Sequence, residues 1–250
     1  MLEAPQVQQW VPYCGAAPLP AEWLARWNFD PWLLLALILT GSAWRQLVQR
    51  PARSQTTRFV STMGVLFLLF VSPFCALTSA LFAARTVHHV LLVAVAAPLL
   101  AWALPDFRLR RRLPLGLWSL LNAAVLWMWH LPSLYSAALG SDVIYWLMQG
   151  SLLGTAVGFW VSVRQAQVTA AVAALLATMV QMGLLGALIT FASAPLYAPH
   201  LLTTGPWGLS PLEDQQLAGL IMWAPAAAIY LVAALLIAGR WLRQENRSAA

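Results

Sequence analysis

The sequence predicts an all-α membrane protein of seven transmembrane helices, with its N-terminus in the periplasm and its C-terminus in the cytoplasm. Three observations carry that prediction. Of 250 residues, 61% are hydrophobic and 9% charged, with a mean hydropathy of +0.71, whereas a soluble domain gives about a quarter of its residues to Asp, Glu, Lys and Arg. Seven stretches approach the roughly 20 apolar residues that cross a bilayer: about 31–49, 59–82, 86–104, 115–139, 143–163, 167–192 and 212–239. The charges are also sorted: with seven spans, twelve of the fourteen arginines fall on one side and six of the eight acids on the other. The positive-inside rule makes the arginine side cytoplasmic.

Residues 1–30 read as a periplasmic arm without the basic start and apolar core of a signal peptide. In VPYCGAAPLPAEWLARWNFDP, Trp23, Leu24 and Trp27 share one face of a short turn after Pro20, which suits an interfacial foot. Cys14 lies in this arm and Cys75 in the second segment. Two cysteines so placed predict no disulfide framework; Cys75 reads as a small buried hydrophobe and Cys14 as a thiol open to a metal or redox partner. The four arginines at 45, 50, 53 and 58 separate the first two segments, and those at 108, 110, 111 and 112 separate the third and fourth. Residues 241–250 form a cytoplasmic tail after the domain of residues 31–240.

Within the segments, polar residues collect toward the acidic side. His88 and His89 open the third segment just after Arg85, and Gln149 lies in the outer third of the fifth. His130 stands two residues before Pro132, which removes a backbone donor and kinks the fourth segment beside the imidazole. Gln181 is in the outer half of the sixth segment, and Tyr197 and His200 are in the loop that follows. Ser210, Pro211 and Glu213 occupy the N-cap, N1 and N3 positions of a capping box. After them Gln215, Gly219 and Met222 make a stripe that faces either a neighbouring helix or a cavity. The glycines at 150, 154 and 158 form a small-residue face for packing inside the monomer or against a partner.

A polar side chain at membrane depth is expensive and therefore a functional hypothesis. For His130 the plain alternative is donation to a carbonyl freed by Pro132. Imidazole and thioether together suit copper, although no close-spaced ligand motif is present. The net charge of +6 reports orientation and attraction to anionic lipid heads, not nucleic acid. A retinal protein is excluded, because no lysine exists to form the Schiff base. An ion-coupled transporter lacks its intramembrane carboxylates. No nucleophile–base pair supports an enzyme. A haem-b electron carrier, with His89 and His130 as axial ligands, stays open.

The chain resembles the caa(3)-type cytochrome c oxidase assembly factors (CtaG) over about residues 27–240. The resemblance rests on WNFDP, LFAARTVHHVLLVAVAAPLL, WHLPSLY, GFW, GALITFASAPLY and SPLEDQQLAGLIMW in that order. It implies a protein of the bacterial inner membrane that aids copper insertion into a haem–copper oxidase, with oxidase subunits or other assembly factors as partners; a scaffold without metal is the alternative. It departs from the family pattern at Arg85 and Gln149, where that pattern has histidines, and keeps His89, His130 and Asp214–Gln215–Gln216. The expected copper ligands are His89, His130 and Met222, brought together by the third, fourth and seventh segments. Around them stand Arg85, His88, Gln149, Asp214 and Gln215, with Asp214 and Gln215 expected to orient the imidazoles.

Overall fold

The computed structural model describes residues 11–105 and 113–248. The arginines at 108, 110, 111 and 112, and the first ten residues of the arm, lie outside the described residues. Among the described residues there is no strand. The helices are α1 (Pro31–Leu47), α2 (Arg53–Phe70), α3 (Pro73–Ala80), α4 (Phe82–Leu91), α5 (Ala97–Ala103), α6 (Leu115–Trp129), α7 (Pro132–Leu139), α8 (Asp142–Gln165), α9 (Val168–Thr190), α10 (Pro211–Ile221) and α11 (Ala227–Ser248). Single π turns at Leu92–Ala96 and Met222–Ala226 join α4 to α5 and α10 to α11. Among the described residues four helices are long and apolar enough to cross a membrane: Phe82–Ala103, Asp142–Gln165, Val168–Thr190 and Pro211–Ser248; the pair α2–α3, bent by 47°, adds a fifth if the two are one broken span. α1 and α6–α7 fill the remaining two apolar segments with shorter helices.

Each interruption has a local cause. α2 ends at Phe70, and Ser72 caps α3 by accepting from the Phe74 N–H at 3.2 Å, with Pro73 in the first turn. The arm covers this break, because Asn28 donates through its backbone to Val71 O and through Nδ2 to Phe70 O. Asp30 of the same WNFDP motif caps α1 at Trp32 and Leu33. Pro132 does not kink a continuous fourth helix, as expected; the helix stops at Trp129, Leu131 is extended and Pro132 starts α7. A residue before proline is pushed out of the α region, so the chain breaks rather than bends.

The cysteine expectation is also corrected. Cys14 and Cys75 form a disulfide across 61 residues of sequence, and among the described residues no cysteine is free. Spacing alone gave no sign of it, because the arm folds back over α3. Tyr13 stacks on Tyr145 and packs edge-on against Trp146, which fixes the arm to the start of α8.

At the arginine-rich end, the terminal carbonyls of α5 all find side-chain donors. Arg164 donates to Ala101 O and Leu104 O, Arg58 to Trp102 O, and Trp44 Nε1 to Ala103 O. Helix ends leave such carbonyls without intrahelical partners, and cations there also complement the helix dipole. In the bundle, α9 packs on α10 and α11, α4 on α10, and α6 on α8. The α9–α10 crossing is glycine on glycine: a Cβ on Gly186 would lie 2.7 Å from Gly219 O. That approach brings Met182 and Met222 to the same level.

Candidate metal centre

His89, His130, Met182 and Met222 line one small interior cavity of about 10 Å³, with the Thr86 hydroxyl beside them. Val90, Val93 and Leu126 wall it. That volume is about the room one water-sized particle needs. The two π turns frame it, Val93 from the first and Met222 from the second; such turns are frequent at functional sites. Pro98 explains the first, since it cannot donate back along the helix. The carbonyl of Val93 instead accepts from Trp160 Nε1 at 3.0 Å.

The His130 ring is held by the helix end that carries it. Its Nδ1 lies 2.7 Å from Leu126 O; a carbonyl can only accept, so Nδ1 carries the proton and Nε2 keeps its lone pair. The structural alternative for His130 and the ligand reading are therefore compatible. The His130 carbonyl, left over at the helix end, accepts from the Tyr197 hydroxyl at 2.9 Å. The His89 and His130 ring centroids are 5.8 Å apart, near the roughly 6 Å spanned when two imidazoles bind one metal at about 2 Å each.

His89 Nε2 lies 3.5 Å from the Gln149 side-chain nitrogen, while His89 Nδ1 and Gln149 Oε1 have no hydrogen-bond partner. Turned over, the same amide accepts from Nε2–H and leaves the Nδ1 lone pair for a ligand, the usual outer-shell arrangement for a metal-binding imidazole. Met182 was not singled out from the sequence. Its signal was the buried α9 stripe of Thr178, Met182, Leu185 and Ile189, which reads as plain core until Gly186 is seen against Gly219.

The other expected residues stand elsewhere. Asp214 does not reach an imidazole; its carboxylate accepts from the backbone N–H groups of Phe82 and Ala83 at 2.7 and 3.1 Å and caps α4. Gln215 accepts from Leu196 N–H and donates to Ile189 O and Ala194 O, holding the loop after α9. His88 packs its ring edge-on against Phe70 and does not line the cavity. Both histidines are interior, not at the helix mouth, because α4 begins at Phe82. Arg85 is fully buried at 0% exposure. Its guanidinium lies against the hydroxyls of Tyr135 and Tyr145, 5.3 Å from the Tyr145 ring centroid.

An aromatic cluster packs at the start of α4. Phe82 stacks on Tyr197, and Tyr135 donates to His200 Nε2 at 2.7 Å. Burial, and after it the Arg85 charge, pushes the His200 imidazole down to about 3, so it is neutral there.

Among the described residues no three His, Cys, Asp or Glu side chains gather in a metal-binding group. A metal in this cavity would therefore use the two thioethers with the two imidazoles, a soft and uncharged set that favours Cu(I). The residues fit that ion. The local geometry of WNFDP and SPLEDQQ proves structural: one motif caps α1, the other builds the α10 capping box and caps α4.

No curated protein and no solved structure matches this sequence significantly. Residues 37–244 match the family described as cytochrome c oxidase caa3 assembly factor (Caa3_CtaG), which is well over half of the chain, and the chain belongs to that family.

Proposed function

We propose that this assembly factor carries Cu(I) for a haem–copper oxidase in the cavity of His89, His130, Met182 and Met222, loading and releasing it from the periplasmic side of the bacterial inner membrane. The observation that carries the reading is the convergence of two imidazoles and two thioethers on one small cavity of about 10 Å³. The site has room for an ion and not for a macrocycle, so the haem-b reading loses ground. In this reading the thioethers of Met182 and Met222 select the monovalent ion, His130 presents Nε2, and Gln149 sets the His89 tautomer.

We further infer seven spans with the arm outside. The sorting of the arginines supports it, and so does the Cys14–Cys75 disulfide, since disulfides persist in oxidising compartments such as the periplasm. A single cysteine at Gly205, in a Cys14→Ser, Cys75→Ser background, labels with an impermeant maleimide in intact spheroplasts; one at Ser54 labels only after lysis. The reverse pattern overturns the orientation.

The test of function is complementation of a deletion strain. His89→Ala, His130→Ala and Met182→Ala lower both oxidase activity and oxidase-bound copper, and the purified variants lose Cu(I). If all three restore wild-type copper and activity, the chain is a scaffold without metal. If the deletion leaves the oxidase fully active, this chain does not serve it.

A further inference from the structure

We propose that Arg85 sets the valence selectivity of this cavity: its buried positive charge weakens divalent ions far more than Cu(I), so that Cu(I) alone is held and is held loosely enough to pass on. The inference rests on the copper reading above and deepens it.

Two routes through the structure put the guanidinium next to the site. Arg85 is one turn before His89 on α4, so the two side chains share a face. Its charge also lies over the Tyr145 ring, and Tyr145 is one turn before Gln149 on α8, whose amide meets His89. The charge has no ion-pair partner among the described residues: Asp214, the carboxylate at the start of the same helix, bonds the Phe82 and Ala83 amides instead of the guanidinium. Its neighbours are the phenols Tyr135 and Tyr145 and the ring of His88. At 0% exposure it is out of contact with bulk solvent, which screens it little.

Coulomb repulsion scales with the charge of the guest. A cation that weakens a monovalent guest by a given factor weakens a divalent guest at the same point by the square of that factor. The thioethers also favour Cu(I), but they do so through bonding and leave no such relation between the two losses. Nor would a purely structural arginine.

The experiment measures Cu(I) and Zn(II) affinities by chelator competition on the full chain purified in detergent. The variants are Arg85→Gln and Arg85→Lys, with His130→Ala as the control for the site. Arg85→Gln is expected to raise Cu(I) affinity at least about tenfold, the size of one unit charge about 10 Å away at an effective dielectric near 20. Zn(II) affinity then rises by about the square of the Cu(I) gain, and Arg85→Lys stays near wild type. Equal gains for both ions, no gain, or Arg85→Lys behaving like Arg85→Gln overturns the proposal. Should the glutamine variant not fold, Arg85→Met removes the charge without leaving a buried amide to be satisfied. Failure of the copper reading is told apart because the wild-type chain then binds no stoichiometric Cu(I) and His130→Ala changes nothing.

Discussion

Asp214 on α10 caps α4 at Phe82: its Oδ2 accepts from the Phe82 N–H at 2.7 Å, and Oδ1 from the Ala83 N–H at 3.1 Å. Residues 132 apart in sequence thus fix where the helix bearing His89 begins. Asp214→Ala leaves two buried donors without an acceptor, at about 1–3 kcal/mol each. The purified protein melts lower in detergent and loses Cu(I) along with its fold. Asp214→Asn, which keeps one acceptor, loses less. A variant with unchanged melting but weaker Cu(I) would instead return Asp214 to the role of orienting an imidazole.

Gly219 has no room for a methyl group. Its Cβ would collide with Thr190 Oγ1 and lie 2.6 Å from Gly186 O. Gly219→Ala forces α9 and α10 apart, at about 1–3 kcal/mol for an overpacked contact. Because that crossing brings Met182 and Met222 to one cavity, the proposed Cu(I) binding is expected to weaken as well. Gly150→Ala, whose added methyl meets nothing within 4 Å, is the matched control and leaves both unchanged.

The Cys14–Cys75 bridge closes a long loop, and removing it as Cys14→Ser, Cys75→Ser costs about 2–4 kcal/mol. Melting in detergent falls by the same amount when the wild-type chain is reduced. Thiol titration of the native, unreduced protein is expected to find no free cysteine; two free thiols would overturn the pairing.

His200 gives this aromatic cluster a pH dependence whose sign follows from its burial. Its imidazole is held down to about 3 from an ordinary 6.5, so between those values the unfolded chain binds a proton that the folded chain refuses. Stability from this group is complete above 6.5 and is lost on acidification, at about 1.4 kcal/mol per pH unit. His200→Phe removes that one-proton slope. Melting temperatures of wild type and variant from pH 7 to pH 4 measure it, and parallel curves would contradict it.

What the sequence determined by itself is what depends on composition and short-range pattern. The all-helical apolar segments follow from hydropathy. The α10 capping box follows from Ser210, Pro211 and Glu213, whose bonds close within four residues. His89 and His130 stood out because polar groups inside apolar helices are costly, and Met222 because it continues the stripe of Gln215 and Gly219. Tertiary structure alone decided what crosses between segments. The disulfide needs the arm to fold over α3, and the Asp214 cap needs α10 beside α4. Met182 looked like core until two glycines brought α9 against α10. The helix break at His130 and the bond from its ring to Leu126 O are both local, whereas the Tyr197 hydroxyl that takes up the freed His130 carbonyl comes from a distant segment. Periodicity reports which face of a helix is buried. It carries no information about which other face meets it, because that is set by packing between residues far apart in the chain.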